Sequence, residues 1–181
     1  MSSTASTTGL VPRLEELSCR QLLDLYPTLE APSLAEMHGE YQARVLRQAS
    51  LVISLLGKLS LNNPISGQWQ AKGFKPLSAE EGLGYNGFAR RGQWLTRYPM
   101  HLSIAPSIFD QQPCLRLDYT VYASLWGRVK MVDEVRRVGE GQYLGLGTIG
   151  VPGFLRYLPM PFMLLGPVRE YRGPETPPQL R

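Results

Sequence analysis

One carboxylate stands out for where it sits. In Lys130–Leu146, KMVDEVRRVGEGQYLGL, alternating side chains put Val129, Met131, Asp133 and Val135 on one face of a strand. Lys130, Glu134 and Arg136 fall on the other. Gly139-Glu140-Gly141 supplies a turn, and Tyr143–Gly147 returns as the second strand of a hairpin. Acids on apolar faces are rare unless paired. Asp133 is therefore a structural ion-pair partner or the polar anchor of a pocket. In an apolar pocket its pKa would rise, and it could act as general acid or base in isomerisation or cyclisation of a hydrophobic substrate. Lys72 or Arg136 could neutralise it instead. Strand parity points both away from Trp69 and Asp133, so such a pairing needs a bulge or a strand end.

Other chemistry finds no support. His38 and His101 are isolated, and Cys19 and Cys114 lie in no CxxC or Cys/His cluster, so no metal site is expected. No GxSxG, P-loop or GxGxxG pattern occurs, and no cofactor is expected. Gly141–Gly150 is glycine-rich but lacks the spacing and following helix of a phosphate loop. Both cysteines read as reduced, packed thiols of a cytoplasmic protein. The net charge of +4 is mild and its arginines are dispersed, which argues against nucleic acid as partner.

The elements that must position these residues follow from pattern. The spacing of Leu14, Leu17, Leu22 and Leu25 predicts an amphipathic helix over Leu14–Tyr26, stopped by Pro27. Ser33 and Glu36 suit the capping box of a second short helix ending before Gly39. A strand is expected to about Leu46, then an apolar helix over Gln48–Lys58 that could plug a barrel end. Asn62-Asn63-Pro64 reads as a turn. Strands follow at Gly67–Phe74, with Trp69 and Ala71 facing one way, and at Leu83–Arg91. In Trp94–Ile104 the residues Trp94, Tyr98, Met100, Leu102 and Ile104 share a face, with Pro99 marking a bend, bulge or edge. Leu115, Leu117, Tyr119 and Val121 face inward on the next strand. A last strand is expected within Phe162–Val168.

Roughly seven to nine short strands at about ten-residue spacing, with helices ahead of them, are the pattern of an antiparallel barrel or sandwich. The 181 residues fit a disordered tail over 1–13, one domain over 14–171 and a Pro-rich tail over 172–181.

Two segments resemble motifs of a family of uncharacterised lipocalin-like proteins. Gly39-Glu40-Tyr41-Gln42-Ala43 is similar to that family's GxWxG segment, with Tyr41 for Trp and Ala43 for the second Gly. Trp69-Gln70-Ala71-Lys72-Gly73-Phe74 is similar to its WxGKxF segment, with Ala71 for Gly. Asp133–Leu146 resembles the family's DxxRRV-like run, and order and spacing agree over Leu14–Gly150. The resemblance implies a lipocalin-like antiparallel barrel behind a helical lead, and it brings no catalytic residue.

A small closed barrel fills its interior or holds one small ligand. The inward candidates are Trp69, Trp94, Tyr98, Met100, Leu117, Tyr119, Met131, Asp133 and Tyr143: greasy walls with a few polar tips. The expected function is binding of a small hydrophobic molecule, such as a lipid, fatty acid, isoprenoid or pigment. The alternative is the cyclase- or isomerase-like enzyme using Asp133. Trp126, beside Gly127, is expected in an exposed turn. Gly153–Met163, large and apolar with an arginine and two prolines, is expected to cover a barrel end or to touch a partner or a membrane surface. The sequence leaves oligomeric state open.

Overall fold

The computed structural model describes residues 13–50, 62–63, 67–150 and 158–174, with 62–63 as backbone. Its strands are β1 (Gly39–Val45), β2 (Asn62–Asn63), β3 (Gly67–Pro76), β4 (Glu81–Arg90), β5 (Gln93–Pro106), β6 (Pro113–Asp118), β7 (Val132–Gly139), β8 (Gln142–Thr148) and β9 (Met160–Arg169). All pairings are antiparallel, in the order β1-β9-β8-β7-β6-β5-β4-β3. β1 also pairs with β3, Gly39 opposite Phe74 and Gln42 opposite Ala71, and this seam closes an eight-stranded barrel. Strand spacing allowed a mainly-β antiparallel barrel or sandwich, and the fold is the barrel. The two motif segments, Gly39–Ala43 and Trp69–Phe74, are the strands that meet at the closure. Asn62 and Asn63 are ladder residues against Gln68 and Gly67 rather than turn residues.

Antiparallel winding gives the barrel two distinct ends. The β4–β5 turn, the start of β3, the β6–β7 connection, the end of β8 and the start of β9 share one end, called here the β4–β5 end. The β3–β4, β5–β6 and β7–β8 connections lie at the other.

The helical lead departs from its predicted single helix. Leu14–Glu16 form a 3₁₀ turn, Leu17 is extended, and α1 spans Cys19–Leu25, followed by a 3₁₀ turn over Tyr26–Thr28. The break has a local cause. Ser18 caps α1 by accepting from the Gln21 N–H at 3.3 Å, while the Gln21 side chain accepts from the Ser18 N–H at 2.9 Å. This capping box outcompetes a helix continuing through Ser18. Leu14, Leu22 and Tyr26 pack on Leu144, Leu146 and Met163, covering the outer face of β8 and β9. Half of the Ser33–Glu36 box also forms, the Glu36 N–H donating to Ser33 Oγ at 3.3 Å, but Met37 closes a single turn onto Leu34 and no second helix follows. Leu34 and Met37 instead enter the barrel core. Gln48–Ser50 are not helical, and the rest of the helix predicted over Gln48–Lys58 lies outside the described residues. Most of the N-terminal tail, residues 151–157, which include the first part of the Gly153–Met163 segment, and residues 175–181 also lie outside them.

The outward face of β7 is charged yet buried. Arg136 is fully buried and uses all five guanidinium N–H groups. Two go to the Asp110 carboxylate at 2.7 Å each, and three to the carbonyls of Tyr26, Gln112 and Pro113 at 2.9, 3.0 and 3.1 Å. Its plane stands 4.4 Å from the Tyr26 ring centre. Glu134 beside it accepts from the Ser107 hydroxyl and from the Ile108 N–H at 2.8 Å. The β5–β6 loop and the helical lead are thereby tied to one strand. Burial pushes the Cys114 thiol up to about 12 in the same region, making it an inert packed group.

Hydrogen bonding to Arg136 holds the Asp110 carboxyl below its ordinary 3.8. A depressed carboxyl contributes stability above its unfolded pKa and loses it as pH falls through the folded value. Asp110→Asn is expected to lower stability at neutral pH and to flatten the acid limb of a pH–stability curve from chemical denaturation. An acid limb as steep as that of the parent chain would contradict the clamp.

Candidate functional site

Two register shifts shape the barrel interior. In β3, Trp69 is opposite Phe88 and Ala71 opposite Gly87, so Gln70 is an extra residue. Trp69 and Lys72, three apart in sequence, therefore both reach the inside. In β5, Met100 is opposite Gly84 and Arg97 opposite Asn86, so Tyr98 and Pro99 together face the single residue Tyr85. Pro99 has no N–H to lose from the ladder, and Tyr98 takes φ 50°. The bulge turns the Tyr98 ring into the core, where it stacks on Trp126 at 4.4 Å and 7°.

At the centre lies an ion pair. Lys72 Nζ donates to Asp133 Oδ2 at 2.7 Å, to the Tyr119 hydroxyl oxygen at 2.6 Å and to Asn86 Oδ1 at 3.0 Å. Tyr119 in turn donates to Asp133 Oδ2 at 3.0 Å. The Asn86 amide donates to the Tyr119 oxygen at 3.0 Å and to the Tyr98 carbonyl at 3.2 Å, and Trp69 Nε1 donates to Asn86 Oδ1 at 3.0 Å. Lys72 and Asp133 are 1% and 2% exposed, so water screens neither. The ammonium is also ringed by aromatic faces: Trp69, Tyr119, Trp126 and Phe162 lie 5.3, 5.3, 5.9 and 5.1 Å away. Burial pushes Lys72 below the ordinary lysine range, with Asp133 opposing that shift. Burial pushes the Tyr119 phenol far above its own range. Among the described residues Asp133 Oδ1 has no hydrogen-bond partner, and it lies against Gly147, where a Cβ would come within 2.8 Å of it.

Trp69, Tyr98, Met100, Leu117, Tyr119, Met131 and Asp133 face inward, as expected, with Tyr98 brought there by the bulge rather than by alternation. Tyr143 is inward too, but its ring packs on Tyr41 at 5.6 Å and its hydroxyl is 3.5 Å from Glu36, away from the lysine. Trp94 is not inward. The Tyr98 bulge inverts parity, and Trp94 lies outside over Gly87, whose missing side chain makes room for the indole. The guanidiniums of Arg172 and Arg169 stand 4.4 and 5.9 Å from the Trp94 ring, and Arg172 is held there by Glu40 at 2.6 Å. Trp126 is not in an exposed turn. It belongs to α2 (Leu125–Arg128) and is 4% exposed. Gly127 is small because the carbonyls of Tyr122 and Tyr119 press on it. The bulge that would let Lys72 reach Asp133 exists, whereas Arg136 turns to Asp110. Asn86, Phe88, Trp126 and Phe162 complete the site. Of these, the polar Asn86 between glycines in an apolar strand was the available signal.

Side chains occupy the barrel at the level of Lys72. Leu95, Tyr98, Val129 and Met160 pack on the core but stay partly exposed. Leu95, Val129 and Met160 belong to segments at the β4–β5 end. A surface cavity of about 320 Å³ at the same end is lined by Arg90, Arg91, Gln93 and Leu95.

No family model matches the chain, and no curated protein does. Among solved structures it is similar to a protein from Thermomonospora curvata, with a TM-score of 0.55 and 14% identity over 83% of this chain and 88% of that one. That likeness is one of fold.

Removing one member of a buried ion pair leaves the other uncompensated, at a cost of about 3–5 kcal/mol. Lys72→Met and Asp133→Leu are each expected to lose that much in urea unfolding, and the double variant to recover most of it. Simple additivity in the cycle would contradict the pairing. In single-tryptophan variants, iodide is expected to quench Trp94 and to spare Trp69 and Trp126. Quenching of Trp126 as strong as that of Trp94 would overturn the assignment.

Proposed function

We propose that the barrel binds a small hydrophobic molecule, of the lipid, fatty-acid, isoprenoid or pigment kind, entering from the β4–β5 end with its polar group toward Lys72. The observation that carries this reading is a buried ion pair set in an aromatic interior rather than in a purely aliphatic core. An eight-stranded barrel has room for one small ligand when its side chains yield. Here those nearest the β4–β5 end are suited to yielding. Met131 and Met160 are flexible and polarisable, and Leu95, Tyr98 and Val129 are only partly packed. Aromatic walls with a few fixed polar groups are the usual composition of such sites. The reading of Asp133 as the acid or base of a cyclase or isomerase acting on the ligand is less favoured, because Oδ2 already accepts from Lys72 and Tyr119. Asp133 acts as a counter-ion.

Native mass spectrometry of protein purified from its own host is expected to show a co-purified apolar molecule. A panel of fatty acids, alcohols and isoprenoids is expected to contain members that raise Tm, a ligand at a hundred times Kd adding about 2.7 kcal/mol. An empty native protein together with an unchanged Tm across the panel would sink the proposal.

A further inference from the structure

We infer that Lys72 captures aldehydes covalently, as a protonated imine held against Asp133. This rests on the barrel-binding reading above and names the class of carbonyl ligand it would retain. The argument starts from hydrogen bonds. The ammonium has three N–H groups, and an iminium nitrogen keeps one. Losing two donors in a buried site normally strands two acceptors. Here it strands none. Asn86 Oδ1 still accepts from Trp69 Nε1. The Tyr119 oxygen still accepts from the Asn86 amide and still donates to Asp133 Oδ2. The single iminium N–H keeps Asp133 Oδ2, now 2.7 Å from Nζ. Every acceptor that Lys72 serves is met before and after the reaction.

The balance is closed. Lys72 passes one proton to Asp133, and the free amine adds to the aldehyde carbon to give a carbinolamine. The carbinolamine hydroxyl leaves as water with the proton that Asp133 took from Lys72, and Asp133 returns to its carboxylate. The net change is ammonium plus aldehyde to iminium plus water. Positive charge on nitrogen and negative charge on Asp133 are the same at both ends. A lysine whose ammonium is disfavoured by burial is the kind that serves as an amine nucleophile. The four aromatic rings around Nζ stabilise a cation in either form. The other lysines, Lys58, Lys75 and Lys130, provide an internal comparison.

The test uses decanal and decanol on the full chain at neutral pH. Sodium borohydride fixes any imine, and peptide mass mapping locates it. The expected result is a decanal adduct confined to Lys72. Decanol raises Tm of the parent chain, while decanal no longer labels Lys72→Arg. If that variant does not fold, mapping on the parent chain decides alone. A rise in Tm with decanol but no decanal adduct, or an adduct spread equally over the other lysines, overturns covalent capture and leaves apolar binding standing. No response to either compound overturns both.

Discussion

The Lys72–Asp133 pair constrains the rest of the interior. Two charges that deep lose their hydration, and their mutual attraction offsets this only when geometry is good and the remaining donors and acceptors are met. Tyr119, Asn86 and Trp69 meet most of them. Each of these partners comes from a different strand or the loop beside it, so the pair sets register around the barrel. β3 supplies Lys72 and Trp69, β4 Asn86, β7 Asp133, and Tyr119 follows β6. A slip of one residue in any of these would turn a charged or polar group outward and strand the others.

The outer surface is fixed by a second charged group acting differently. Arg136 lies one pleat from Asp133, on the opposite face of the strand, and its planar fork satisfies the ends of two segments that have few other ways to dock. The carbonyl of Tyr26 belongs to the helical lead, and Asp110, Gln112 and Pro113 to the β5–β6 loop and the strand that follows it. Tyr26 and Leu22 then cover Leu144, Leu146 and Met163. The β7 strand thus carries one buried ionisable side chain inward for the site and two, Glu134 and Arg136, outward for the scaffold.

Much of this was legible. The alternation of β7 runs without a register shift up to Arg137, so Asp133 and Val135 were placed correctly from parity alone. Strand spacing pointed to a barrel or sandwich, and the need for a bulge or a strand end to bring Lys72 to Asp133 was evident from the pattern. The location of that bulge was not, because Gln70 is neither glycine nor proline and nothing marks it. Pro99 did mark the second irregularity, but alternation carried across it turned Trp94 the wrong way. Trp126 illustrates a different limit. A glycine beside it suggested a solvated turn, whereas Gly127 is there for close approach to the Tyr119 and Tyr122 carbonyls. Tertiary contacts of that kind leave no local signature.

The most direct test of the account is the Lys72 side chain itself, observed by NMR in protein carrying ¹³C and ¹⁵N lysine and titrated with pH. The account predicts one lysine whose Nζ resonance is protected from solvent exchange and titrates below the ordinary lysine range because of its burial. Four lysines titrating together in the ordinary range, all in fast exchange with water, would contradict it.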